Sequence, residues 1–253
     1  MAFYVRFSVH SNIKKEKMTK TKEAKCSNKF EDVSVSMITM NEEKAIEKVV
    51  NDIKKFAPGA EILVVDSSSD KTPEIAERIG CKVIRQFPPK GYGPAMDRAL
   101  RSPKREIIVT LDCDDTYPAE KIPEIVNLIR EGYDLVNCSR TYKRPKNMPF
   151  ANYLANRLFA LTTGIVHKIK TTDVHSGMRA YRKNMIDKLK FKVDASALPV
   201  ELMIKPILKG YKFKEINISY KQRIGETTLD PWNSTKQTFK RIFKLKFDKD
   251  YAK

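Results

Sequence analysis

Residues 107–118 read Ile-Ile-Val-Thr-Leu-Asp-Cys-Asp-Asp-Thr-Tyr-Pro, an apolar run that ends in three carboxylates within four residues. Bringing Asp112 and Asp114 together at the end of a buried strand is costly. Like charges at close range raise each other's pKa unless a cation lies between them. A divalent metal held by hard oxygen ligands, with a phosphate-bearing substrate completing its shell, removes that cost. Asp115 reads as a solvated or helix-start neighbour rather than a third ligand, and Cys113 points into the sheet core by alternation. The competing reading of this segment alone is a solvated acidic turn.

Such a site needs a rigid frame, and the surrounding sequence supplies one. Residues 33–38 form a strand, and 43–56 a helix with Ala45, Ile46, Val49, Val50 and Ile53 on one face. A buried strand at 61–66 leads to a helix at 72–79, with Thr72 as its N-cap and Pro73 in first position. Strands at 82–86, 106–111 and 133–138 alternate with helices at 93–101 and 119–130. This alternation predicts a mostly parallel α/β sheet with helices on both faces. Ligands bind such sheets at the C-terminal strand ends, where Asn41, Asp66 and Asp112 all fall. Beyond residue 138 come a basic loop (141–148), a long helix (149–168), a polar segment (171–182), helices at 184–189 and 198–209, a strand at 213–220 and a loop at 221–233. The divisions are a basic, disordered lead-in over 1–30, a catalytic domain over 31–233, and a basic amphipathic C-terminal helix within 234–253.

At 253 residues the chain can bury a full core. Its net charge of +18 calls for an anionic partner: nucleic acid, anionic lipid or a phosphorylated substrate. No apolar run approaches the ~18 residues of a membrane span. Cys26, Cys81, Cys113 and Cys138 show no CxxC spacing, which suits a reducing cytoplasm. Apolar residues precede the first lysines, the reverse of a secretory signal, so no export is expected. A nucleic-acid binder would interleave basic residues with exposed aromatics, whereas many of these lysines cluster at the two ends. Nucleic acid is therefore not the expected partner. A sugar-1-phosphate nucleotidyltransferase would carry a glycine-rich basic loop after its first strand, where this chain has Thr39-Met-Asn-Glu-Glu43.

Several motifs occur together in order. They are Met-Ile-Thr-Met-Asn-Glu-Glu at 37–43, Val-Val-Asp-Ser-Ser-Ser-Asp-Lys-Thr at 64–72, Lys90-Gly-Tyr-Gly93 and Asp112-Cys-Asp114. Thr-Asp-Val-His-Ser-Gly-Met-Arg-Ala follows at 172–180 and Arg-Ile-Gly-Glu-Thr-Thr at 223–228. The set resembles glycosyltransferase family 2, especially its dolichol-phosphate mannose synthase-like branch, over roughly 33–232. The resemblance implies a GT-A fold. The implied reaction moves a hexose, with inversion, from a nucleotide-diphosphate sugar (GDP-mannose or a UDP-hexose) to a polyprenyl (dolichyl) phosphate.

By the same resemblance, Ile38, Met40 and Glu42 line the base and ribose pocket, Asp66 and Ser67 flank the base, and Lys90 belongs to the donor site. Asp112 and Asp114 hold Mg2+ or Mn2+ at the diphosphate, and Thr116 helps fix the sugar. Arg140 and Arg179 face the acceptor phosphate, with Arg179 counted among the catalytic residues, and Arg223 faces the donor diphosphate. The family's second aspartate of the base loop is Ser67 here, and Ile38 and Met40 replace its proline and tyrosine. A phosphate acceptor is already anionic and needs cationic guides, which Arg140, Lys143, Arg144, Arg157, Lys168, Arg179 and Arg182 could supply. A hydroxyl acceptor would need a base, with Glu201 or Asp173 as candidates. The final helix sets Phe239, Ile242, Phe243 and Phe247 on one face and lysines on another. It could lie on an anionic membrane or pack back on the domain. The expected location is the cytoplasm, with peripheral attachment to the cytoplasmic membrane face as the first of these options.

Overall fold

The computed structural model describes residues 29–193, 197–225 and 231–247. Nearly all of the expected lead-in, residues 1–28, and part of the last motif, residues 226–228, lie outside them.

Seven strands form one sheet in the order β3-β2-β1-β4-β6-β5-β7. β1 (Val33–Thr39), β2 (Glu61–Asp66), β3 (Lys82–Arg85) and β4 (Ile107–Thr110) pair in parallel. β5 (Leu135–Ser139) and β7 (Phe213–Asn217) pair in parallel with each other. Between the two groups runs β6 (Arg179–Arg182), antiparallel to both neighbours. β6 falls in the polar segment at 171–182, where no strand was expected.

Period-two alternation divides the core into two layers. Val33, Val35, Met37, Val64, Val109 and Val136 face one layer. That layer is closed by α1 (Ile46–Phe56) and α4 (Ile122–Arg130), the latter entered through a 3-10 turn at Ala119–Lys121. Leu63, Val65, Ile108 and Leu135 face the other, under α3 (Tyr92–Arg101), α5 (Phe150–His167) and α7 (Leu198–Leu208). α2 (Thr72–Arg78) and α6 (Lys183–Lys188) are short connectors. Thr72 begins α2 rather than capping it. Lys71 stands at the cap without a side-chain bond, and Asp70 Oδ1, one residue earlier, accepts from Thr72 N at 2.9 Å.

The last helix, α8 (Pro231–Phe247), packs back on the domain. Ile242 and Leu245 are buried in the second layer, Phe239 meets Phe159 with ring centroids 5.0 Å apart, and His167 Nε2 lies 2.8 Å from Ile242 O. Arg241 reaches inward to an ion pair with Glu201. Of the four apolar residues expected on one free face, Ile242 is fully buried and Phe239 partly; Phe243 and Phe247 stay exposed.

Candidate active site

The parallel strands β1, β2 and β4 deliver their C-terminal ends to one edge. The loops after β1 and β2 are laced together there. Asn41, held at φ 62°, donates from its backbone N to Ser68 Oγ at 2.8 Å and accepts from Ser69 N at 3.0 Å. Glu42 N donates to Thr72 Oγ1 at 2.9 Å. Asp66 is fully buried; Oδ1 accepts from Thr39 Oγ1 (2.7 Å) and Ser68 Oγ (2.6 Å), and Oδ2 from Ser68 N (3.1 Å) and from Arg85. Ser67 donates its hydroxyl to Gln86 O at 3.0 Å. Both side chains thus help to build the loop at the sheet edge where a base was expected. Ile38 packs partly into the second core layer, Met40 stands 43% exposed, and Lys90 lies exposed before α3.

Beyond β4 the two aspartates differ. Asp114 is buried: Oδ1 accepts from Thr116 Oγ1 (2.6 Å) and Thr116 N (3.1 Å), and Oδ2 lies 3.0 Å from Arg223 Nη1. Thr116, itself 1% exposed, therefore orients Asp114. Asp112 accepts no hydrogen bond among the described residues, although burial first and Asp114 second raise its pKa. It rests against Gly177 so closely that a Cβ there would lie 2.6–2.9 Å from its carboxylate. Asp115, at φ 60°, turns away to Lys48 at 2.8 Å, and Cys113 is buried in the first core layer.

Glu42 completes the acidic cluster. Burial raises its pKa to about 7 against the pull of Arg223, and Asp114 and Asp112 push the same way. Arg223 bridges the cluster, with Nη2 3.2 Å from Glu42 Oε1, while its buried Nε has no partner among the described residues.

A second, cationic part adjoins the first. Arg140 forms a two-pronged pair with Asp173, Nε to Oδ2 at 2.7 Å and Nη2 to Oδ1 at 3.0 Å. It also lies near the rings of Tyr117 and Tyr220, 5.9 and 5.6 Å from their centroids. Arg140 holds the Asp173 carboxyl below its usual range despite burial. Tyr117 Oη accepts from Gly177 N at 2.7 Å, tying this part to the glycine that cradles Asp112.

Arg179 lies inside the sheet. In β6 it lies opposite Thr110 on one side and Asn137 on the other. It is 1% exposed, and its guanidinium donates to Asn137 Oδ1 (2.8 Å), Pro199 O (2.7 Å) and Val174 O (2.9 Å). It braces the interior, whereas the sequence led one to expect it at an acceptor. Asp173 is locked to Arg140. Glu201, fully buried, is paired with Arg241 and Lys205 and accepts from Lys192 N at 3.2 Å. Neither is placed to act as a base. His175 is hydrogen-bonded to Thr238 Oγ1 at 2.8 Å, and burial lowers its pKa to about 4.

Gly177, Tyr117, Tyr220 and Asn137 were not singled out for a role in the sequence. Glycine and tyrosine in a polar stretch carry no period, and only the fold brings them together. Among the described residues no group of three or more His, Cys, Asp or Glu is arranged to hold a metal. Two carboxylates, one without any hydrogen bond, nevertheless suit Mg2+ or Mn2+, which commonly take one or two protein carboxylates and leave the remaining positions to substrate phosphate and water.

A profile described as Glycosyl transferase family 2 matches residues 34–190. The dolichyl-phosphate hexose transferase of Haloferax volcanii is 41% identical over 217 residues, covering 85% of this chain and 94% of that protein. The dolichol-phosphate mannosyltransferase of Pyrococcus furiosus is 28% identical over 74% of this chain, which spans about half of that relative, 55%. Glucosyl-3-phosphoglycerate synthase from Mycobacterium tuberculosis, solved with UDP, matches with a TM-score of 0.69 and 20% identity, over 85% of this chain and 79% of that one. That likeness concerns fold alone, and the fold is GT-A. With the profile spanning more than half of the chain and a relative this similar along nearly its whole length, the protein is a glycosyltransferase and belongs to family 2.

Proposed function

We propose that the protein moves a hexose, with inversion, from a nucleotide-diphosphate sugar to a polyprenyl (dolichyl) phosphate at the cytoplasmic face of a membrane. The observation that carries the acceptor class is the state of the candidate bases: Asp173 and Glu201 are both buried in ion pairs. A phosphate acceptor needs no proton removed, only cationic guidance and an in-line approach to the anomeric carbon. Arg140 suits that role. Asp173, Tyr117 and Tyr220 fix its guanidinium, and Nη1 makes no hydrogen bond among the described residues. The name of the Haloferax volcanii relative agrees with this acceptor.

On the donor side, Asp112 and Asp114 would hold Mg2+ or Mn2+, which neutralises charge on the departing nucleoside diphosphate. Thr116 keeps Asp114 in one orientation, and Gly177 gives Asp112 its room. The planar fork of Arg223 suits phosphate oxygens. Glu42, Ile38 and Met40 border the space beside β1, where the nucleoside would lie.

Thermal-shift screening of GDP-mannose, UDP-glucose and UDP-GlcNAc with Mn2+ or Mg2+ identifies the donor, because ligands of the folded state raise its apparent stability. Labelled-sugar transfer is then compared between a polyprenyl phosphate and the corresponding free polyprenol. Transfer to the phosphate alone is expected, and equal transfer to the alcohol would overturn the acceptor class. Asp114→Asn is expected to lower transfer at least about 100-fold, the scale of a lost electrostatic contact in the transition state, while leaving the unfolding midpoint within a few degrees.

A further inference from the structure

Helix α5 inverts the pattern of a surface helix. Phe159, Ala160, Thr163 and His167 form its buried face, so its outward face should be polar. Instead Phe150, Leu154, Leu158, Leu161 and Ile165 stand 57, 55, 48, 59 and 71% exposed. Their spacing of four, four, three and four residues sets them within an arc of about 80°, as one stripe about 22 Å long. Scattered exposed apolar residues are ordinary, but a contiguous stripe marks a surface that something covers.

The charge around the stripe says what covers it. Residues 141–170 contain no Asp or Glu, and Lys143, Arg144, Lys146, Arg157, Lys168 and Lys170 are all exposed. Basic groups thus stand before the stripe, beside it and after it. A second copy docking on the same patch would set cations against cations with no carboxylate between them, which disfavours a symmetric dimer. An anionic bilayer answers both features, its acyl boundary taking the apolar side chains and its headgroups the cations. None of the described helices is long and apolar enough to cross a membrane, so α5 would lie in the plane of the interface.

We propose that α5, rather than the basic C-terminal helix, is the membrane-docking element of this protein. Its stripe sinks to the headgroup–acyl boundary of an anionic bilayer. Arg140 lies on the same stretch of chain, ten residues before Phe150, so the helix that meets the lipid leads directly from the cationic part of the site. The proposal takes its purpose from the lipid-phosphate reading above, although docking itself does not require that reading.

The test is flotation of the full chain with vesicles of phosphatidylglycerol and phosphatidylcholine, or of phosphatidylcholine alone, all without polyprenyl phosphate. Wild type is expected to float with the anionic vesicles. Leu154→Gln/Leu158→Gln/Leu161→Gln should lose roughly 100-fold in partitioning, with an unchanged unfolding midpoint and unchanged transfer to a short-chain, water-soluble polyprenyl phosphate. Phe243→Gln/Phe247→Gln on α8 should lose far less. Equal flotation of the α5 variant and wild type would sink the proposal, as would a wild-type dimer that the α5 variant disperses while vesicles bind neither. Vesicle docking through α5 without transfer to any phosphate acceptor would uphold the docking and remove the acceptor reading instead.

Discussion

Gly177 is where backbone and chemistry meet most closely. Its Cα leaves no space for a methyl group because the Asp112 carboxylate fills that volume. Gly177→Ala is therefore expected to push Asp112 out of line and lower kcat about 100-fold, the scale of a displacement of roughly 1 Å at a reacting centre. Steady-state kinetics across a Mn2+ titration would show this as a loss that added metal does not restore. His175 carries a pH prediction. It is neutral in the fold with a pKa near 4, against 6.5 ordinarily, so below pH 6.5 the unfolded chain binds a proton that the native state refuses. Its contribution is fully present above pH 6.5 and is lost as pH falls toward 4, with a slope of up to about 1.4 kcal/mol per pH unit. Urea unfolding at stepped pH should show a shallower acid loss for His175→Gln. At this scale the sequence marked the acidic cluster well, because carboxylates after a β-branched run are conspicuous. It did not show that Arg179, Thr116, Asp66 and Ser67 are hydrogen-bonded within the protein. Residue type told that they bond strongly, but not whether the partner is a ligand or the protein itself.

The least legible element was β6. Arg-Ala-Tyr-Arg has polar ends and only four residues, and its strand character comes from insertion between β4 and β5. That insertion turns Arg179 inward onto Asn137. By contrast β1, β2 and their helices were readable from period alone, since each has one or two apolar faces to bury. The fate of α8 depended on partners far away in sequence. Arg241 enters the second core layer beside α7 and pairs with Glu201, which also keeps Lys205 at 3.6 Å. Removing one member of a buried pair strands the other charge. Arg241→Met should therefore cost about 3 kcal/mol in urea unfolding and expose α8 to limited proteolysis. Adding Glu201→Gln to Arg241→Met should not restore that stability, because Lys205 would then be the buried charge deprived of its carboxylate.

For the molecule as a whole, a net charge of +18 surrounds a small acidic cluster. Such a field draws anionic substrates over distances comparable to the Debye length, and salt shortens that reach. KM for the nucleotide sugar is expected to rise several-fold between about 0.05 and about 0.5 M KCl, with kcat changing much less; initial rates at fixed Mn2+ would measure it. The alternation of strands and helices exposed the architecture because a doubly covered sheet must write apolar runs into nearly every strand. Charge alone left the partner open, since it has no direction until the fold assigns the basic residues to faces.

Arg223 sits across Asp114 and Glu42. On the proposed donor reading, a group drawn to the outer oxygen of Asp114 would compete with that arginine. Donor affinity is then the difference between two partnerships, and loosening Arg223 would ease entry while weakening the hold on what has entered. One side chain would thus set both the tightness of capture and the ease of release.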